Sequence, residues 1–172
     1  VVYGEPAIIA AISKRCYVGA GKNKKVIITS REINKSSSFM MNEIISFANE
    51  MTNLWDSCYK QKDFSKLLFN IKKDPLNHVK IAIGKALGKM EIKNGVSLDI
   101  KSDIPLGAGV GSGAALAVAT VKAISELYGK NLSNEEVNEM AFEIEKIAHG
   151  TPSGGDNTTC CYGGLIWFQK GN

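Results

Sequence analysis

Short apolar runs at the start of the chain give way to longer segments with helical spacing. Residues 7–12 form an apolar run, and residues 16–18 and 25–29 follow at strand-like spacing with glycine between them. Short runs separated by glycine predict strands, and we expect these three to form a small antiparallel sheet. Residues 36–90 have helical spacing, and Pro75 marks a helix boundary because the residue before a proline disfavours the helical conformation.

The centre of the chain contains a predicted strand that leads through a glycine-rich segment into a predicted helix. Residues 96–101 alternate between apolar and polar side chains, and this period of two predicts a strand with one buried face. Residues 114–128 are rich in Ala, Leu and Val, contain no proline or glycine, and are followed by Gly129. This composition predicts a buried helix that ends at the glycine.

The last third of the chain predicts one more helix and a return to strand. Ser133 and Glu136 have the spacing of a capping box, which predicts a helix over residues 134–148 that ends near Gly150. Residues 158–169 alternate small and apolar side chains and predict a pair of strands. No internal repeat or linker-like tract interrupts the chain, so we expect a single domain over residues 1–172.

Composition and charge exclude several classes of protein. The 172 residues are 44% hydrophobic and 22% charged, which is typical of one globular domain with a substantial core. A net charge of +4 from scattered basic residues does not favour nucleic-acid binding. No apolar run reaches the roughly 20 residues of a membrane helix. The four cysteines lack CxxC spacing, which favours a reducing, cytoplasmic location. Because Val1 opens a strand-like segment without methionine, we expect the natural start to precede it.

The most informative segment is the glycine-rich stretch PLGAGVGSGAA at residues 105–115. Unpaired backbone N–H groups at the start of a helix attract anions, and glycines let the backbone approach a phosphate closely. A tight turn with positive φ angles is the alternative explanation for isolated glycines. Four glycines at alternating positions before an alanine-rich helix favour phosphate binding over that alternative.

Better-known nucleotide motifs fit this segment poorly. Gly109, Gly111 and Ala114 satisfy the spacing of a dinucleotide-binding fingerprint, but a capped polar helix follows where that fold needs a strand ending in an acid. The Gly-Lys-Ser/Thr of an ATPase P-loop is missing, and so are the protein-kinase catalytic and metal-binding signatures. The loop therefore indicates a phosphate site of another kind.

A second segment, EKIAHGTPSGGDN at residues 145–157, carries two carboxylates. Its glycines and proline can fold the chain back so that Glu145 and Asp156 face one cleft, as a metal ligand and a base would. The alternatives are a solvated turn for Asp156 and a solvated helix face for Glu145. His149 fits a packing or capping role at the helix end better than a catalytic role.

Together the two segments resemble the GHMP kinase superfamily, which includes galactokinase, homoserine kinase, mevalonate kinase and phosphomevalonate kinase. Residues 105–115 are similar to the superfamily's phosphate-binding signature. Residues 149–157, followed by Gly163-Gly164, are most similar to the mevalonate kinase family, and residues 1–8 resemble the end of its first motif. Three motifs in the right order make the resemblance far more specific than any one of them.

The resemblance implies an ATP-dependent kinase that phosphorylates the 5-hydroxyl of mevalonate, in isoprenoid biosynthesis, with Mg²⁺ between the phosphates. It implies Asp156 as the catalytic base or charge stabiliser, and Glu145 with Ser112 as metal ligands. It further implies substrate binding by Ser153, Gly154 and Asn157. The residues implied for ATP binding are Pro105, Gly107, Ala108, Gly109, Val110, Gly111, Ser112, Gly113 and Ala114. The family's second loop serine, a magnesium-reaching hydroxyl, corresponds to Gly113.

The resemblance also implies a fold and partners. The fold is α+β and ribosomal protein S5 domain 2-like, with a mixed or antiparallel sheet packed against helices and a left-handed βαβ unit. A carboxy-terminal GHMP domain, absent from this sequence, and a possible homodimer are the implied partners. Without that domain we expect residues 1–172 to be inactive. Another GHMP kinase or a nucleotide-binding module without catalysis is the alternative function.

Overall fold

The computed structural model describes residues 5–105 and 109–170. The strands, in chain order, are β1 (Ala7–Ala10), β2 (Cys16–Asn23), β3 (Val26–Ser30), β4 (Lys35–Phe39), β5 (Gly95–Ser102) and β6 (Leu165–Phe168). The helices are α1 (Met41–Gln61), α2 (Ser65–Lys72), α3 (Asn77–Lys89), α4 (Ser112–Leu127), α5 (Asn134–His149) and α6 (Gly155–Tyr162).

A four-stranded mixed sheet in the order β2-β5-β3-β4 forms one layer of the domain. Strand β5 is antiparallel to β2 and parallel to β3, with Ile100 opposite Val18 and Leu98 opposite Ile28. Its apolar residues Val96, Leu98 and Ile100 are at most 4% exposed, so the alternation in the sequence does correspond to one buried face. The predicted α+β architecture with a mixed sheet is confirmed, while the left-handed crossover stays a prediction.

The second layer consists of helices that bury their apolar stripes against this sheet and against each other. Ile44 of α1, Ile81 of α3, Val121 of α4 and Ile144 of α5 belong to one buried cluster. Helices α1 and α3 approach so closely that a Cβ on Gly84 would lie 2.5 Å from Ala48 Cβ. The shared core thus fixes α3, α4 and α5, whose ends build the site described below.

Helices α4 and α5 confirm the sequence-based prediction closely. Ser133 caps α5 by accepting a hydrogen bond from Glu136 N at 3.2 Å, and Glu136 Oε2 accepts one from Ser133 N at 2.8 Å. The predicted capping box is therefore present. Each helix begins and ends within two residues of its predicted bounds.

Two predictions about strands near the start of the chain were wrong. Strand β1 pairs with β6 in a separate two-stranded sheet rather than with β2 and β3. Residues 36–39, which were included in the helical region, belong to strand β4. In β4, Ser36 pairs with Thr29 of β3, and their hydroxyls lie 3.0 Å apart. Cross-strand pairing of this kind depends on the partner strand and overrides the local pattern.

The predicted pair of strands at residues 158–169 was also wrong in its first half, which is the end of α6. In this helical half, the hydroxyls of Thr158 and Thr159 donate to the carbonyls of Gly154 and Gly155 at 2.7 and 2.8 Å. These bonds to the preceding turn satisfy both side chains within the helix. Only β6 is a strand, and it follows Gly163 and Gly164, which both have positive φ.

The described residues contain neither a membrane-spanning helix nor a disulfide bond. None of the helices described is both long enough and apolar enough to span a bilayer. All four cysteines are free thiols. Partial burial raises the pKa of Cys16 and Cys161 to about 11, so these two thiols are poor nucleophiles at neutral pH.

Candidate active site

The amino terminus of α4 faces a cavity in the protein surface. Its N-cap is Gly111, in the left-handed conformation with φ of 74°, and no side chain caps the helix. The first intrahelical bond runs from Ala115 N to Gly111 O at 2.9 Å, and the first turn contains no acidic residue. The first N–H groups and the positive end of the helix dipole are therefore available to an anion.

Helix α6 begins in a similar way at the other side of the same space. Its N-cap Gly154 has φ of 94° and provides no side-chain cap, while Gly155 N donates to Ser153 Oγ at 3.1 Å. A Cβ on Gly155 would lie 2.4 Å from Ile9 Cδ1, so a larger residue there would displace this side chain of β1. Asp156 consequently sits in the first turn of α6.

The two helix starts and both carboxylates line one cavity of about 410 Å³. A Cβ on Gly111 would lie 3.6 Å from Asp156 Cγ, so the glycine loop and this carboxylate are in direct proximity. The residues that line the cavity are Gly109, Gly111, Ser112, Gly113, Glu145, His149, Pro152, Ser153, Gly154, Asp156 and Asn157. The structure thus brings together the two segments that the sequence singled out.

Not every predicted ATP-binding residue is found in this lining. Gly107 and Ala108 fall outside the described residues. Pro105 and Val110 are exposed, Ala114 is buried, and these three do not belong to the lining of the cavity. A second cavity of about 420 Å³ lies between α1, α3 and α5, but it has no glycine loop and no pair of facing carboxylates. Volume alone therefore does not distinguish the site; its polar groups do.

Asp156 is a carboxylate with an altered affinity for protons. Partial burial raises its pKa above the usual value for aspartate, and the negative charge of Glu145 raises it further. His149 acts in the opposite direction. A carboxylate whose pKa is raised in this way accepts a proton more readily than a solvated one.

Glu145 is buried in an unusual environment. Its side chain is only 6% exposed, and its two oxygens face two histidines: Oε1 lies 3.2 Å from His78 Nε2, and Oε2 lies 3.5 Å from His149 Nε2. Neither Oε1 nor His78 Nε2 has a hydrogen-bond partner among the described residues. A buried carboxylate oxygen without a donor is costly unless a ligand satisfies it, which makes this oxygen a candidate cation ligand.

His78 does not belong to the cavity lining but packs against two of its residues, Gly113 and Glu145, and the sequence did not reveal this contact. It lies in the first turn of α3, far from both motifs in the chain, and the sequence indicated only that it lies within the helically spaced residues 36–90. Its ring packs edge-on to His149, with ring centroids 6.3 Å apart. No local motif signals this residue, because only the packing of α3 against α4 and α5 brings it to Glu145.

Gly113 is surrounded by these same groups. A Cβ at this position would lie 2.9 Å from His78 Cε1, 3.3 Å from His149 Nε2 and 3.4 Å from Glu145 Oε1. The first distance is shorter than a normal contact, so a side chain here requires His78 to move. Glycine at this position therefore lets His78 lie next to Glu145 without a steric clash.

Two further side chains hold the site in place. The indole N–H of Trp55 donates to Gly150 O at 2.7 Å and fixes the end of α5. Asn157 is 2% exposed, and its amide donates to Asn138 Oδ1 at 2.7 Å, which ties α6 to α5. Asn157 therefore has a structural contact in addition to its place in the cavity lining, and its predicted substrate contact stays a prediction.

A complete metal site is not formed by protein groups alone. In residues 5–105 and 109–170, no group of three or more His, Cys, Asp and Glu side chains is arranged to hold a metal ion. Any cation in the cavity must take further ligands from hydroxyls, water or a bound anion. Sites of this kind are typical of metal–polyphosphate complexes.

Comparison with known proteins identifies the family. Residues 77–164, just over half of the chain, match the family model described as GHMP kinases N terminal domain. The chain belongs to this GHMP kinase family. The matched region runs from the start of α3, which carries His78, to Gly164, beyond the second motif, and so contains every described residue of the cavity lining. The family expected from the sequence is confirmed.

The curated relatives of this GHMP kinase domain include several mevalonate kinases. The mevalonate kinase of Thermococcus sibiricus is 37% identical over 174 residues, covering 100% of this chain and 47% of the relative. That of Pyrococcus furiosus is 38% identical over 177 residues, covering 99% of this chain and 47% of the relative. The chain therefore spans about half the length of the curated relatives it matches.

Solved structures show the same fold. The mevalonate kinase of Methanococcus jannaschii superposes with a TM-score of 0.79 at 26% identity, covering 98% of this chain and 48% of that chain. The L. major mevalonate kinase, solved in complex with R-mevalonate, superposes with a TM-score of 0.65 at 27% identity, covering 99% of this chain and 44% of that chain. Both comparisons cover the described domain almost completely.

Proposed function

We propose that this GHMP kinase domain is the nucleotide-binding half of a mevalonate kinase, which transfers the γ-phosphoryl group of ATP to the 5-hydroxyl of mevalonate. The observation that carries the proposal is the cavity in which two uncapped helix starts face Asp156 and Glu145. Relatives and structures named mevalonate kinase, matched over nearly the whole chain, support this choice within the family.

The start of α4 is the proposed phosphate site. The open N–H groups after Gly111 bind the β- and γ-phosphates, and positive φ at Gly109 and Gly111 lets the loop curve around them. Roles for Gly107 and Ala108 in the same loop stay predictions. Because phosphoryl transfer needs mainly positioning and charge stabilisation, a helix amino terminus contributes directly to the reaction.

Magnesium fits one feature of this site. Glu145 Oε1 is buried and lacks a donor, and Ser112 lines the same cavity, so these two residues are the proposed ligands. The ion, when bound, neutralises phosphate charge and orients the terminal phosphoryl group. Gly113 offers no hydroxyl, and phosphates and water must complete the coordination.

Asp156 is the proposed contact of the acceptor hydroxyl. In the reaction, the hydroxyl oxygen forms a bond to the γ-phosphorus, the bond between that phosphorus and ADP breaks, and the hydroxyl proton leaves. The raised pKa of Asp156 and its place next to Gly111 suit a group that accepts this proton or stabilises the charge as it develops. Ser153, Gly154 and Asn157 are the proposed acceptor-binding residues around it.

A carboxy-terminal domain is the proposed partner of this half, because the relatives are about twice as long as the chain. Strands β1 and β6 offer a surface for it. Ile8 lies opposite Trp167, and Ala10 lies opposite Leu165. The side chains of Ile8, Trp167 and Leu165 are 69%, 71% and 77% exposed, respectively. An apolar face of this kind is typical of a surface that another domain covers.

Acceptor specificity is the direct test of the proposed function. ATP consumption by the full-length protein is measured with mevalonate, phosphomevalonate, galactose and homoserine. We expect turnover with mevalonate at a kcat/KM well above that of the other three. Turnover with another acceptor would reassign the protein within the family, and no turnover with any of them would favour a nucleotide-binding module without catalysis, which the missing hydroxyl at Gly113 makes a specific alternative.

A further inference from the structure

His78 and Glu145 form a pair of donor atoms that no hydrogen bond explains. Glu145 Oε1 and His78 Nε2 lie 3.2 Å apart, and their side chains are 6% and 17% exposed. Both atoms are buried, yet neither makes a hydrogen bond with any described residue, including each other. The two atoms are therefore close together without the alignment of a donor and an acceptor.

The separation of these two atoms is that of neighbouring ligands on one metal ion. At bond lengths of about 2.1 Å, adjacent ligands lie roughly 3.0 Å apart in octahedral geometry and roughly 3.4 Å apart in tetrahedral geometry. The observed 3.2 Å falls between these values. A carboxylate oxygen and an imidazole nitrogen at this distance can bind the same cation.

Glycine at position 113 leaves space for the imidazole of His78 next to Glu145. A Cβ at Gly113 would lie 2.9 Å from His78 Cε1 and 3.4 Å from Glu145 Oε1, so the imidazole stands where a side chain at position 113 would have to fit. The glycine removes one hydroxyl from the site, and His78 introduces one nitrogen beside the same carboxylate oxygen.

We propose that His78 is a metal ligand, so that the cation of this site is bound by Glu145 Oε1 and His78 Nε2. Ser112, the triphosphate and water supply the remaining ligands, which agrees with the finding that no three His, Cys, Asp or Glu side chains form a complete site within the described residues. Magnesium prefers oxygen ligands, whereas imidazole favours transition metals. The site therefore prefers Mn²⁺ or Co²⁺ to Mg²⁺.

His149 has a different role. Its Nε2 lies 3.5 Å from the other oxygen of Glu145, Oε2, and its side chain is 57% exposed. It is a positioning residue that orients the carboxylate from outside the ion. Because His149 has the same chemistry and lies next to the same carboxylate, it provides a matched control for His78.

Electron spin echo envelope modulation of bound Mn²⁺ tests this proposal without any turnover. The full-length protein is loaded with Mn²⁺ and inorganic tripolyphosphate, which contains no nitrogen. We expect ¹⁴N modulation from imidazole in the wild type and in His149→Phe, its replacement by ¹⁵N modulation after labelling with [¹⁵N]histidine, and its loss in His78→Phe. Phenylalanine keeps the volume of the ring and removes its nitrogens.

Two results would overturn the proposal. One is a wild type with bound Mn²⁺ and no histidine nitrogen modulation, a result that does not depend on whether a variant folds. The other is modulation that persists in His78→Phe and disappears in His149→Phe. Metal affinity gives a second measure: we expect Mn²⁺ to bind about tenfold or more tightly than Mg²⁺ to the wild type, and this preference to fall towards unity in His78→Phe.

The inference rests on the proposed function only for the triphosphate that completes the site. Nitrogen modulation together with no turnover of any acceptor would retain the metal ligand and remove the kinase assignment. Turnover of mevalonate together with an oxygen-only Mn²⁺ site would retain the kinase assignment and remove the metal ligand.

The double variant His78→Ala/Gly113→Ser places a hydroxyl at position 113 and removes the imidazole that would clash with it. We expect this variant to shift the metal preference back towards Mg²⁺.

Discussion

Replacing Glu145 with glutamine separates a ligand-binding carboxylate from a structural one. In the absence of cation, Glu145 Oε1 is buried without a donor, a state that costs about 1–3 kcal/mol. A glutamine amide at this position can donate to His78 Nε2, which lies 3.2 Å from Oε1. We therefore expect the free protein to gain about 1 kcal/mol, or about 2–4 °C in Tm for a domain of this size.

The same substitution should remove the stabilisation that the cation provides. A ligand at 100 times its Kd stabilises the native state by about 2.7 kcal/mol. Thermal unfolding is measured at pH 8.5, where free imidazole is largely neutral, with and without Mn²⁺ and tripolyphosphate. We expect the wild type to gain stability with the cation, and Glu145→Gln to gain only what tripolyphosphate alone provides.

Glu143→Gln is the matched control, because Glu143 lies on the same helix and its side chain is 43% exposed in an ion pair with Lys146. It should change stability by less than about 1 kcal/mol and keep the response to the cation. A large loss of stability in cation-free Glu145→Gln, with the cation response retained, would refute our reasoning. The carboxylate would then be a structural anchor for the two histidines.

Three further variants test other parts of the molecule. Asp156→Asn should lower kcat by several orders of magnitude with ATP affinity nearly unchanged. The pKa of Asp156 is raised in the folded protein, so ionisation of this carboxyl lowers the free energy of unfolding as the pH rises through that pKa. The ligand-free variant should therefore be more stable than the wild type at pH 7 but not at pH 3, and equal stability of the two proteins at both pH values would contradict this. Burial opposes ionisation of Asp74, but hydrogen bonds from Lys80, Leu76 N and Lys35 hold its pKa well below the usual value. The ionised Asp74 therefore stabilises the fold above about pH 4, and this stabilisation is lost on acidification. Asp74→Asn should lower the free energy of unfolding, measured with urea, by about 1–3 kcal/mol at pH 7 and make that free energy less dependent on pH in the acid range. An unchanged dependence of stability on acid pH would exclude this stabilising role of Asp74. Gly84→Ala, which places a Cβ 2.5 Å from Ala48 Cβ, should cost about 1–3 kcal/mol, whereas Gly88→Ala in the same helix meets nothing within 4 Å and should cost nothing; equal costs would contradict the packing of α1 on α3.

The elements that the sequence predicted well are those whose determinants are local. Helix α5 has its cap, its apolar stripe and its stop within one segment, and β5 shows its buried face by simple alternation. The cavity was also predictable in part, because the glycine loop and the second motif each carry their own signature. Local determinants of this kind need no knowledge of the rest of the fold.

The elements that the sequence missed depend on distant partners. Strand β4 forms because β3 offers a neighbour for three consecutive serines, and β1 finds β6 rather than β2. His78 reaches Glu145 only through the packing of three helices. Neither pairing nor packing between distant segments leaves a trace in local periodicity, so one sequence could not reveal them.

A crystal structure of the full-length protein with a non-hydrolysable ATP analogue and a divalent cation would show how the nucleotide is bound. We predict that the β- and γ-phosphates contact the N–H groups at the start of α4, that the cation contacts Glu145, and that the γ-phosphate faces Asp156. A nucleotide bound away from these N–H groups, or a γ-phosphate that points away from Asp156, would contradict this prediction.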